Sequence, residues 1–185
     1  GNQQLRVNGL FLGVDGWIYG ANGRSDGDMR RPGAAKSVSL RGHDFRFHPD
    51  TLEAETIAGR SQFGHTPDDW GNRFLSWNTI AARHEALPES LLRGFPTLEG
   101  LSTLQDLTPA DETGRVFPLS PTPATFNRES TSHFNALAGL TLYRGDALPP
   151  RYRGNLFMGE TLRNLVHRRV LAPEGASFIA RRAED

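Results

Sequence analysis

Apolar and polar positions alternate along this chain in short bursts, and each burst ends at a turn former. His43-Asp44-Phe45-Arg46-Phe47-His48 is the plainest case: Phe45 and Phe47 fall on one side, Asp44, Arg46 and His48 on the other. A period of two is what an extended strand produces. Residues 9–14 run into Asp15-Gly16, after which Trp17-Ile18-Tyr19 resumes the extended pattern. Two β-rich runs joined by Asp-Gly predict a hairpin, because the turn needs the positive φ that glycine takes readily. Residues 23–36 read as a polar loop, and Pro49-Asp50 turns the chain into a returning strand over 54–58.

The pattern then restarts twice. Residues 63–67 predict an inner strand, Asp68 to Asn72 a turn, and 73–78 a second strand. Over 81–92 the apolar residues are poorly spaced for one helical face, and Pro88 interrupts the stretch. Residues 139–144, 154–160, 164–171 and 177–181 predict four more strands. Asp15-Gly16-Trp17-Ile18-Tyr19, Trp70-Gly71-Asn72-Arg73-Phe74 and Tyr152-Arg153-Gly154-Asn155-Leu156-Phe157 share one sense: a polar or glycine turn ahead of an aromatic-bearing strand. Repetition of a four-strand unit predicts an all-β chain of about three blades from a six-bladed β-propeller. The blade-like units cover residues 1–60, 61–95 and 126–185. Residues 96–124, where Pro109, Pro118, Pro121 and Pro123 fall among Thr, Ser and Asp, are expected to be an insertion loop, with a short helix around 98–107. Three blades leave sheet edges open, so a longer parent propeller is expected to supply the missing blades as partners.

Composition narrows the function classes. Twenty Gly, twelve Pro and eleven Phe suit a chain that turns often. Lys+Arg and Asp+Glu are both 21, so no whole-chain basic field draws it to nucleic acid. Without Cys there is no disulfide, no thiolate metal site and no Cys-x-x-Cys-His for haem. No apolar run is long enough to span a bilayer. The glycine fingerprints of dinucleotide and P-loop sites and the Gly-x-Ser-x-Gly elbow of α/β-hydrolases do not occur.

Several stretches carry a family resemblance: Asp15-Gly16-Trp17-Ile18-Tyr19-Gly20-Ala21-Asn22-Gly23, Leu40 to Pro49, Ser61-Gln62-Phe63-Gly64, Asp68-Asp69-Trp70-Gly71-Asn72-Arg73-Phe74, Ala138 to Pro149, and Asn164-Leu165-Val166-His167-Arg168. In order and spacing the chain resembles the propeller region of membrane-bound dehydrogenases of planctomycetes and verrucomicrobia, relatives of soluble quinoprotein glucose/sorbosone dehydrogenases. It departs from that pattern in lacking cysteines often present in the strands near residues 73–78, 134–139 and 156–160. The resemblance implies oxidation of a sugar or alcohol with pyrroloquinoline quinone (PQQ) and Ca²⁺, a cytochrome c module as electron acceptor, and a periplasmic or membrane-associated parent. A non-catalytic propeller that binds a glycan or a protein, or an inactive fragment, is the alternative.

Propeller ligands sit at one mouth of the central channel, where the inner strands begin. Here Asn8, Gln62, Gly64, His65, His133 and Asn135 hold those places. His65 is the first candidate for the general base and His133 the second, since a neutral imidazole accepts a proton near working pH; the plainer reading of each is a solvated or turn-capping residue. Arg41 and Arg60 are candidates to grip a cofactor carboxylate through a bidentate fork, with Asn8, Gln62 and Asn135 completing the cofactor-binding set. An ion pair with Asp44 or Asp69 is the alternative for either arginine. Asp68 and Asp69, like Asp26-Gly27-Asp28, offer oxygens for Ca²⁺ but fit no complete loop signature, which leaves turn chemistry as the alternative. Trp17, Trp70 and Trp77 are expected to pack between blades.

Overall fold

In the computed structural model, which describes residues 3–92, 94–98, 100–112, 114–119 and 133–184, the strands form three four-stranded antiparallel sheets and one two-stranded ribbon. The first sheet opens with β1 (Asn8–Leu12) and β2 (Ile18–Ala21), joined by the Asp15-Gly16 turn. A ribbon of β3 (Asp28–Met29) and β4 (Val38–Ser39) stands in the polar loop before β5 (Asp44–Phe47) and β6 (Ala54–Ile57) complete the sheet. The second sheet holds β7 (His65–Pro67), β8 (Arg73–Trp77), β9 (Ile80–Glu85) and β10 (Leu104–Asp106). The third holds β11 (Leu137–Leu142), β12 (Asn155–Glu160), β13 (Leu165–Glu174) and β14 (Ser177–Arg182). Each sheet is a meander in which sequence neighbours are spatial neighbours. These are three blades of propeller type.

The first strands of the blades lie against one another. His65 Nε2 reaches Gly9 O at 3.0 Å, and the Gly139 N–H donates to Phe63 O at 2.9 Å. The approach is closest at Gly9, which has φ +63° and where an added Cβ would stand 2.9 Å from the Gly64 Cα. Only glycine fits there, on both conformational and steric grounds. Gly64, just before β7, and Gly139, inside β11, are also at positive φ, and the ladders slip register after Gly9 and around Gly139.

Strand register also repeats across the blades. Phe11, Tyr19, Arg46 and Glu55 form one row across the first blade. Thr66, Phe74, His84 and Gln105 form the matching row in the second, and Thr141, Phe157 and Arg168 in the third. Each row sets an aromatic on the second strand beside a basic side chain on the third. The first row faces the second blade through Phe11, whose ring meets the His65 imidazole edge-on at 4.7 Å. The second row faces the third blade through Phe74 and Phe178, 5.2 Å apart, and through His84, which hydrogen-bonds with Ser177 Oγ at 2.8 Å. That second junction holds the apolar core: Phe74, Leu107, Leu137, Leu140, Leu142, Leu156 and Met158 are buried together.

Two sequence expectations change. The second blade does not end at residue 95: β10 pairs with β9 (Leu104 with Glu85, Gln105 with His84), inside the expected insertion. A three-residue strand is too short for alternation to show. The expected helix over 98–107 is a 3₁₀ turn at Pro96–Leu98 followed by this strand. Residues 81–92 divide into β9 and one helical turn, α1 (Glu89–Leu92), which starts just after Pro88. Residues 120–124 of the expected insertion, with Pro121 and Pro123, and residues 126–132 at the start of the third predicted unit lie outside the described residues.

Candidate functional site

Where the first two blades meet, one buried arginine gathers groups from both. Arg73, at the start of β8, donates from Nη1 to Asp44 Oδ2 at 2.9 Å and from Nε to Glu85 Oε2 at 2.7 Å. Its Nη2 donates to Ala58 O, and its Nη1 also reaches His65 Nδ1 at 3.0 Å. Asp44, fully buried, further accepts from the Asn22 and Ser61 N–H groups and from Ser61 Oγ. Burial works against the Arg73 charge, but the carboxylates of Glu85 and Asp44 outweigh it and leave the pKa above its ordinary value.

This geometry fixes the state of His65. An arginine only donates, so Nδ1 must accept, and Nε2 carries the hydrogen toward Gly9 O. Burial first, and the Arg73 charge second, push its pKa down to about 3. Both ring nitrogens are engaged, so this imidazole suits a neutral link between blades rather than a proton acceptor for substrate. His133 lies at the surface, in an isolated bridge with Arg115.

The remaining predicted site residues scatter. Asn8 and Gln62 come together, with Asn8 Nδ2 donating to Gln62 O at 2.8 Å. The Asn135 N–H is held by Glu160 Oε2 at 2.8 Å in the third blade. Arg41 is exposed. Arg60 does make a bidentate grip, but on Asp26, at 3.1 and 2.7 Å, rather than on Asp44 or Asp69. Asp26 is held below the usual carboxylate range, chiefly by the Gly42 N–H, against the opposing effect of burial. Asp68 Oδ1 accepts from the Trp70 and Asn72 N–H groups at 2.9 and 2.8 Å, and its Oδ2 from Asn72 Nδ2 at 2.6 Å. Asp69 pairs with Arg144 of the third blade at 2.8 Å.

The turn that Asp68 organises carries the largest departure from expectation. Trp70 does not pack between blades: it is 83% exposed. Trp17 and Trp77 are half-buried, with Arg46 stacked 4.6 Å from the Trp17 ring and Arg24 5.5 Å from Trp77. Trp70 borders a cleft between the first two blades that has two chambers sharing Tyr19, Gly71 and Arg73. One, of about 110 Å³, is lined by Arg46, Glu55, Glu85 and Glu89; the other, of about 250 Å³, by Phe11, Val14, Asp15 and Trp70. Arg46 crosses the cleft wall as a bracket, bonded to Asp15 Oδ2 at 2.8 Å and to Glu55 Oε1 at 2.7 Å. The Tyr19 hydroxyl donates to Asp15 Oδ2 at 2.8 Å.

Residues 1–185 match the family described as Domain of unknown function (DUF7133). The chain belongs to this family. Comparisons with curated proteins and with solved structures return no match. In this DUF7133 chain Asp68 and Arg60, predicted for Ca²⁺ and for a cofactor carboxylate, are engaged inside the protein. Both Asp68 oxygens are taken by its own turn, and no group of three His, Asp or Glu side chains among the described residues could hold a metal ion. The one predicted arginine fork with bidentate geometry is filled by Asp26. No helix among the described residues is long and apolar enough to cross a membrane.

Sequence reasoning missed Arg73, Asp44 and Glu85 as a unit, and it missed the cleft. Asp44 sits on the polar side of an alternating strand, which reads as solvent-facing when the strand is taken alone. In a stack of blades that side faces the next sheet.

Proposed function

We propose that this chain supplies blades to a sugar- or alcohol-handling propeller of the quinoprotein glucose/sorbosone dehydrogenase kind. In this reading the described residues hold and orient, and they carry neither the quinone nor the proton acceptor. The observation that supports it most is the succession of three meander blades packed through Gly9, Gly64 and Gly139, joined to the sequence resemblance. Fold likeness alone is a weak guide to activity. The resemblance also carries the proposals of a cytochrome partner and a periplasmic or membrane-associated setting.

A second reading, a glycan-binding propeller without redox chemistry, is favoured by one observation: both ring nitrogens of His65 are committed inside the protein. The test is dye reduction by the full chain with PQQ, Ca²⁺ and a panel of sugars and alcohols, run beside calorimetric titration with the same panel. Binding without dye reduction is the expected result. Dye reduction by the chain itself would show that it holds the redox centre and would overturn the assignment of its residues to holding. The absence of both binding and turnover would overturn the sugar-handling reading.

A further inference from the structure

We propose that the cleft between the first and second blades binds a neutral pyranose sugar, with Trp70 as the platform for the ring's apolar face. The inference rests on the sugar-handling reading, and it places the sugar between two blades rather than at the mouth of the channel.

Trp70 carries the argument. A tryptophan that is 83% exposed leaves a large apolar surface in water, and here the surface is presented on purpose-built backbone. Asp68 accepts the N–H groups of Trp70 and Asn72, Gly71 takes φ +90°, and the Asp69–Arg144 pair ties the turn to the third blade. These bonds fix the backbone from which the indole projects. Phe11 and Tyr19, stacked 5.0 Å apart, floor the same chamber.

The polar groups of the cleft select the chemistry. Its two cations are already matched: Arg46 by Asp15 and Glu55, Arg73 by Asp44 and Glu85. A phosphate or carboxylate ligand would therefore meet more acidic than free basic groups. Acceptors, by contrast, are in surplus. Glu89 Oε1 pairs with His43 Nε2 at 3.2 Å, while its Oε2 is buried with no hydrogen-bond partner. A buried carboxylate oxygen left without a donor is costly, and a sugar hydroxyl is a donor. The chamber that Trp70 borders joins the aromatic faces of Phe11 and Tyr19 to the carboxylate of Asp15, and a pyranose likewise presents C–H bonds and hydroxyls in different directions.

The experiment uses the full chain with methyl β-D-glucopyranoside, its galacto and xylo counterparts, and cellobiose as probes. Binding is read by calorimetry and by saturation transfer from protein to sugar protons. Trp70→Ala is expected to weaken binding about tenfold or more, Trp70→Tyr to keep most of it, and Glu89→Gln to weaken it by a smaller factor. Because Trp70 is exposed, its variants should melt with the parent chain, so a loss of binding reports the site and not the fold. Binding of any probe that survives both Trp70→Ala and Glu89→Gln undiminished would overturn the cleft as the site while leaving the sugar-handling reading intact. No binding of any probe to the unaltered chain would overturn both.

Discussion

The two junctions between blades are built from opposite materials. Between the first and second blades, one arginine is shared among two carboxylates, an imidazole and a main-chain carbonyl. Between the second and third, Phe74, Leu140, Leu142, Leu156 and Met158 close an apolar seam. Apolar burial contributes free energy wherever it occurs and specifies little about direction. A buried ion pair contributes little net stability, because desolvation offsets the attraction, but its geometry is demanding. The apolar seam therefore supplies cohesion, and the polar junction fixes how the first two blades sit, and so the shape of the cleft that Arg73 borders.

The comparison breaks most sharply at Arg73. Arg73→Met should leave Asp44 and Glu85 buried without their cation and cost about 3–5 kcal/mol in urea unfolding. A loss below about 1 kcal/mol would show that water reaches the junction and that the two junctions are not so different. Leu156→Ala at the apolar seam is expected to cost about 2–5 kcal/mol, according to how far the seam closes around the cavity. Unlike the Arg73 change, it should leave ligand binding in the cleft unaltered, which calorimetry checks.

Acid should weaken the molecule through two buried imidazoles. His65 and His167 are both held at about 3, by burial first and by neighbouring arginines second. Above the ordinary histidine pKa, about 6.5, both states are neutral and neither group affects stability. As pH falls below that value the unfolded chain takes up protons that the folded one refuses, so stability drops until about pH 3. The slope is at most about 1.4 kcal/mol per pH unit for each group. His65→Gln should flatten the slope of stability against pH over this window; an unchanged slope would mean that His65 is charged in the folded protein. The smallest effect is expected at the surface: Arg144→Ala, which breaks the exposed pair with Asp69, should cost about 0–1 kcal/mol by thermal melting.

Much of the architecture is legible in local pattern. The Asp15-Gly16 hairpin, the alternation over residues 43–48 and the four strands of the third blade all follow from residue order. Strand β10 was not legible, because three residues among prolines and threonines carry no periodic signal. The candidate site was less legible still. His65 stands in a polar cluster at the opening of an inner strand, the pattern that suggests a ligand mouth, yet its nitrogens meet Gly9 from 56 positions earlier and Arg73 from the next strand. Trp70 was misplaced for the converse reason: a large aromatic beside a turn is more often buried, and its exposure depends on how a neighbouring blade is set.

Residue order alone determined that this chain alternates, turns and repeats, because strand period and turn chemistry act over a few residues. It determined that the polar faces exist, but not what they face. Only the stacking of one blade on the next decided that Asp44 and Arg73 are buried partners and that Trp70 stands in solvent beside a cleft. Those outcomes depend on distances between strands far apart in the chain, and no local pattern encodes such a distance.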